Sequence, residues 1–96
     1  MNFLIVYDVD TTTREGQARL RRVARACEGY GQRVQYSVFE VICSRNKMAA
    51  LVAELEVILA PGLDSVRIYP MDGDGFERAV HLGPRREIPH EDAWVL

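Results

Sequence analysis

Phe3, Leu4, Ile5, Val6 and Tyr7 form an unbroken apolar run that stops at Asp8. A run this short and this rich in β-branched residues predicts a buried central strand over Asn2–Tyr7. Thr11-Thr12-Thr13 follows as a polar loop that offers hydroxyls for capping a helix. From Arg14 to Glu28 the spacing becomes helical, with Leu20, Val23, Ala24 and Cys27 on one stripe. Gly29-Tyr30-Gly31 predicts its stop, since glycine is free to take the left-handed cap conformation. Arg33 to Cys43 is β-rich. Val34 and Val38-Phe39 break strict alternation there, which favours two strands, or a sharply bent pair, joined at Tyr36-Ser37 over one long strand. Ser44 predicts the cap of a second helix, roughly Arg45 to Leu59. Within it Met48, Leu51, Val52, Leu55, Ile58 and Leu59 repeat at three and four, and Pro61-Gly62 ends the pattern. Val66, Ile68 and Pro70 alternate with Arg67 and Tyr69, which predicts a strand over Ser65–Met71. After the Asp72-Gly73-Asp74-Gly75 turn, Glu77 to Leu82 is predicted to add one more strand. Gly83-Pro84 opens an irregular tail that ends in the apolar Ala93-Trp94-Val95-Leu96.

The order strand, helix, strand pair, helix, strand is the split β-α-β pattern of an α+β, ferredoxin-like β-α-β-β-α-β sandwich, here with extra C-terminal strands. The chain divides into one such domain over residues 1–82 and a tail over 83–96. Two helices cover one face of an antiparallel sheet. The other face still carries apolar side chains, and for a chain of 96 residues the simplest cover is a second copy of itself. The C-terminal tail is expected to add a strand to that partner's sheet, covering an exposed edge.

Composition narrows the setting without naming a task. No segment approaches the roughly 20 apolar residues that span a bilayer, and the first residues lack a basic leader, so the expected compartment is the cytoplasm. Cys27 and Cys43 both fall at apolar positions and are read as buried thiols, with no Cys/His spacing that suggests zinc. The net charge of −2 conceals an asymmetry. Between Arg14 and Arg33 six arginines face two glutamates, and between Asp72 and Asp92 six acids face three arginines. An approaching phosphate feels the local field rather than the sum. At about 100° per residue, Arg14, Arg21 and Arg25 share one narrow sector of the first helix, Arg22 sits at its edge, and Leu20, Val23 and Cys27 lie roughly opposite. Such a row suits a polyanion backbone and reads no bases. It is also what an ordinary solvated face looks like. Asp8 has a comparable pair of readings. A strand-end carboxylate is often solvated or caps a loop, yet a buried strand is also a rigid support for a metal ligand or an acid/base group. No Ser/His/Asp or Cys/His set, phosphate loop or nucleotide fingerprint is present.

Three features together go further: the apolar strand closing on Tyr7-Asp8, the arginine-rich helix with Arg19, Arg21, Arg22 and Arg25, and the stretch Gly29-Tyr30-Gly31-Gln32-Arg33-Val34-Gln35-Tyr36-Ser37-Val38-Phe39-Glu40. With them the chain resembles the CRISPR-associated endonuclease Cas2 family. The similarity runs along essentially the whole chain. The loop from Asp10 to Arg14 is slightly longer than usual, and Arg22 is the securest match in the first helix because Val23-Ala24 follows in register.

The resemblance implies a homodimer that takes part in CRISPR spacer acquisition, an antiviral defence. It implies a metal-dependent nuclease acting on RNA or DNA, and a duplex-DNA-binding bridge for the CRISPR-associated integrase Cas1. It implies Asp8 as a metal ligand facing its copy across the two-fold axis. Two facing carboxylates repel unless a cation sits between them, and Mg2+ is content with one or two carboxylates plus water and phosphate. Arg33 becomes a phosphate or transition-state contact near Asp8. Tyr7 and Phe39, core positions by pattern, complete the catalytic group by shaping the cleft or the dimer interface. Arg14, Arg19, Arg21, Arg22, Arg25 and Arg33 become the nucleic-acid contacts. The alternatives are a catalytically silent adaptor of the integrase complex, a toxin-type ribonuclease similar to the virulence-associated protein D family, and a regulatory domain binding a small ligand at a dimer interface. The last leaves the arginine row unexplained.

Overall fold

A computed structural model of the chain describes residues 1–73, 75–80 and 82. Its elements run β1 (Asn2–Asp8), α1 (Arg14–Glu28), β2 (Gly31–Gln35), β3 (Val38–Ile42), α2 (Arg45–Ile58) and β4 (Ser65–Met71). The strands form one antiparallel sheet in the order β2-β3-β1-β4. This is the ferredoxin-like sandwich, with β1 central and the edges held by β2 and β4.

Alternation along β1 assigns the two faces of the sheet. Phe3, Ile5 and Tyr7 are buried, while Leu4 and Val6 are half-buried and Asp8 is exposed. The neighbouring strands obey the same division. Phe39 and Val41 of β3 are fully buried beneath the helices, whereas Val38 and Glu40 are half-buried and Ile42 is 66 % exposed. From the helix side Leu20, Val23, Ala24 and Cys27 of α1 and Met48, Leu51 and Leu55 of α2 close the core. Each large side chain so buried contributes about 1.5–3 kcal/mol. Burial pushes the Cys27 thiol up to about 12, so this cysteine stays protonated at neutral pH. Cys27 and Cys43 are both free thiols, the first buried as expected and the second only half-buried.

Both helices start where hydroxyls cap them. The Thr13 side chain accepts from the Gly16 N–H and the Ser44 side chain from the Lys47 N–H, each at 3.1 Å. Gly16 lies inside the first turn of α1 for steric reasons. A Cβ there would sit 1.9 Å from the Asp10 carbonyl oxygen, so the loop after β1 packs directly on the helix.

Two expectations are corrected. The first helix does not end on a left-handed glycine: Gly29 is right-handed, at φ −70° and ψ −14°. The need for glycine lies at Gly31, where a Cβ would meet the Glu40 carbonyl oxygen at 2.3 Å and the Val41 side chain at 2.6 Å. Among the described residues the left-handed glycines are Gly62 and Gly73, both in turns. Nor do residues 77–80 and 82 form a strand. The chain folds back in turns, with Gly75 N–H on the Asp72 carbonyl and Ala79 N–H on the Phe76 carbonyl, and these local bonds engage groups a ladder would need. The two-strand reading of Arg33 to Cys43 holds, with an irregularity between Arg33 and Gln35. The tail over 83–96 lies outside the described residues.

Candidate functional site

Asp8 ends β1 directly opposite Ser65 of β4, on the sheet face that carries Leu4 and Val6. Its side chain is exposed there. Other carboxylates in the neighbouring loops are already engaged. Asp10 Oδ1 accepts from the Thr12 hydroxyl at 2.6 Å and the Thr12 N–H at 2.9 Å, and the hydroxyl bond first among these holds the Asp10 carboxyl below its ordinary value. The Asp64 side chain is buried and accepts three bonds: Arg19 Nε at 2.7 Å, Ala60 N–H at 2.9 Å and Asp10 N–H at 3.0 Å. Burial works against its charge, yet Arg19 and the two backbone donors outweigh burial and hold the Asp64 carboxyl low.

The Asp64 knot joins the loop after β1, helix α1 and the turn before β4. Asp64 was invisible as a key residue in the sequence. Its three donors are 4, 45 and 54 residues away along the chain. The knot also redefines Arg19, whose side chain is 13 % exposed and committed to Asp64 rather than to the outer face of α1. On that face Arg14, Arg22 and Arg25 are exposed and Arg21 is half-buried.

Arg33, Tyr7 and Phe39 come together, but under the helices rather than beside Asp8. Arg33 pairs in register with Phe39, its guanidinium lies 5.3 Å from the Phe39 ring centroid, and its Nη2 donates to Glu28 Oε1 at 2.7 Å. The side chain is only 6 % exposed, and its Nε and Nη1 are buried without a hydrogen-bond partner. Tyr7 stacks on Phe39 at 6.1 Å between ring centroids. Its hydroxyl donates to the Tyr36 carbonyl at 3.0 Å. Burial pushes that hydroxyl above its ordinary value, against the pull of Arg33. A phenol so placed packs and braces the β2–β3 turn. Within one protomer, Asp8 is therefore separated by the sheet from the other three residues grouped with it.

A resident divalent cation finds an incomplete site in one chain. Among the described residues no group of three or more His, Cys, Asp or Glu side chains could hold a metal. Asp8 supplies one exposed carboxylate on a rigid strand end, a thin ligand set for Mg2+ that the same carboxylate of a second copy would complete.

The fold and these residues define a ferredoxin-like sandwich with an acidic strand tip on its open sheet face and arginines along one helix. Comparison with known proteins gives that class its family. Residues 1–79 match the family described as CRISPR associated protein Cas2. The CRISPR-associated endoribonuclease Cas2 3 of Rhodospirillum rubrum is 48 % identical over 93 residues, 97 % of this chain and 98 % of that protein. The CRISPR-associated endonuclease Cas2 of Halalkalibacterium halodurans is 42 % identical over the full length of both. The crystal structure of Streptococcus pyogenes Cas2 superposes with a TM-score of 0.78 at 40 % identity, covering 86 % of this chain and all of the other. The chain belongs to the Cas2 family.

Proposed function

We propose that this chain works as a homodimeric nuclease of CRISPR adaptation, its two subunits joined through the open sheet face so that both Asp8 carboxylates line one cleft. One observation carries the reading. Asp8 is an exposed carboxylate on a rigid strand end, whereas Asp10 and Asp64 nearby are consumed by local bonds. The two Asp8 side chains would hold a divalent cation, with Mg2+ the best match to carboxylate, water and phosphate oxygens. When bound, that ion polarises a phosphodiester oxygen and lowers the pKa of an attacking water.

The protein's own part is binding and placement. Arg14, Arg22 and Arg25, with Arg21 between them, offer donors and charge to a phosphate backbone without reading bases. Tyr7 and Phe39 fix the strand ends from inside the core. Asp8→Asn removes the charge and preserves the shape. Cleavage of RNA, single-stranded and duplex DNA in Mg2+ is expected to vanish, while DNA binding is retained or slightly improved. Cleavage that survives in highly purified variant protein would sink the catalytic role.

A second reading has its own support. The short ligand set of one subunit and the burial of Arg33 against Glu28 both suit a protein that binds more than it cuts. In that case the dimer serves as a duplex-DNA-binding adaptor for the Cas1 integrase. Asp8→Asn then leaves spacer insertion in a reconstituted assay unchanged.

A further inference from the structure

Besides Asp8, the open face of the sheet carries two charges set among apolar residues. Glu40 on β3 and Tyr69 on β4 both lie in the row of Leu4, and Arg67 on β4 lies in the row of Val6 opposite Val38. Glu40 is half-buried, and among the described residues its carboxylate makes no hydrogen bond or ion pair. The Arg67 guanidinium reaches along its strand to the Tyr69 hydroxyl, with 3.5 Å between Nη1 and oxygen. Arg67 is thereby tied to the residue that shares the Leu4 row with Glu40. Within one chain β1 separates the two, about 10 Å apart across the sheet at ~4.8 Å per strand.

Two-fold geometry changes that separation. If two sheets pack open face to open face and both Asp8 ends meet, the axis must run along the strands between the sheets. An axis across the strands would send the two ends to opposite sides. Rotation about the strand direction exchanges left and right, so β3 of one subunit lies over β4 of the other. The Leu4 rows stay level. The tilt of about 30° between aligned sheets displaces residues one strand from the axis by only a few Å. Each Glu40 then faces the other subunit's Arg67 across the roughly 10 Å between sheets, a span the two side chains bridge.

We infer that the dimer is closed by two reciprocal ion pairs, Glu40 of each subunit with Arg67 of the partner subunit. This rests on the face-to-face dimer proposed above and goes beyond it by fixing the direction of the axis and the residues that select it. The same pairs oppose the antiparallel arrangement, in which β3 would lie over β3 and β4 over β4, leaving like charges on like strands.

Sedimentation velocity of the full chain over a dilution series tests it. Glu40→Arg and Arg67→Glu are each expected to raise the dimer dissociation constant by about tenfold or more at low salt. The double reversal is expected to return to within about threefold of the original protein, because the two positions are coupled. Single variants that dimerise normally, or a double variant no tighter than the singles, would overturn the pairing. A parent protein that is monomeric at every concentration would overturn the dimer itself, and this pairing with it. Should circular dichroism show a reversal variant to be misfolded, Glu40→Gln keeps the shape. It is then expected to weaken the dimer and flatten its salt dependence, and an unchanged salt dependence overturns the pairing.

Discussion

The same strands build both faces of the sheet, yet neighbouring residues on one strand live in different worlds. On β3, Phe39 and Val41 are fully buried, whereas Ile42, one residue further, is 66 % exposed. On β1, Tyr7 is 3 % exposed and Asp8 is solvated. The closed face turns its polar groups inward: Tyr7 donates to the Tyr36 carbonyl and one nitrogen of Arg33 to Glu28. The open face leaves Asp8, Glu40 and Arg67 directed at whatever covers it. The difference teaches where stability and function separate in this chain. A substitution on the helix side is felt as folding energy. On the open side the proposed dimer predicts that it is felt as association or chemistry.

Truncating the packed side should have the largest effect. Phe39→Ala removes a fully buried ring that touches Tyr7 and Arg33. It is expected to cost about 3–5 kcal/mol in denaturant unfolding. Ile42→Ala, the exposed counterpart on the same strand, is expected to cost under about 1 kcal/mol in a monomeric background. Similar losses at the two positions would erase the distinction between the faces.

Next comes the Asp64 knot. Asp64→Ala leaves Arg19 partly buried without its counter-ion and two backbone N–H groups unsatisfied, at an expected cost of about 3 kcal/mol. The pH dependence has a definite sign. The folded protein holds the Asp64 carboxyl below its unfolded value, which for an ordinary Asp is about 3.9. Its contribution is thus complete above that value and fades as pH falls through the lower, folded one. Urea midpoints of the parent should drop below about pH 4, and those of Asp64→Asn should drop less. Parallel curves for the two would remove Asp64 from the acid transition.

How much of this could be read beforehand depended on whether the deciding interaction is local. The break at Tyr36-Ser37 was legible because strand alternation fails within a few residues. Both helix caps were legible because Thr13 and Ser44 act on donors three residues away. Asp64 was not, since its donors converge only after β1, α1 and the α2–β4 turn are assembled. Arg19 left a trace that counting charges obscures. At about 100° per residue it lies about 140° from Arg14, beside the apolar stripe rather than in the arginine sector. Gly16 left another, because a glycine in a helix costs about 1 kcal/mol against alanine and so suggests a close neighbour, here the Asp10 carbonyl. The face taken by Arg33 was hidden by the irregularity between Arg33 and Gln35, which breaks the parity from which strand faces are counted. The family motif joined Asp8, Tyr7, Arg33 and Phe39 as one group. The fold places a sheet between the first and the rest.

The smallest effect on folding should accompany a large effect on binding, at the exposed arginines of α1. Arg22 and Arg25 lie outside the core and far around the helix from Leu20, Val23 and Cys27. Reversing both to glutamate should shift unfolding by no more than about 0.5–1 kcal/mol. The same change should weaken duplex DNA binding for every sequence alike. It should also lower the slope of log affinity against log salt by about 0.9 for each phosphate the helix no longer neutralises. Fluorescence anisotropy with two unrelated duplexes across a salt series measures both quantities. A weakening confined to one sequence would mean that the helix reads bases. An unchanged salt slope would mean that phosphates rest elsewhere and that this row is only a solvated face. Arg19 is the internal control. Arg19→Glu breaks the Asp64 knot, so its cost should appear in stability before it appears in the salt slope.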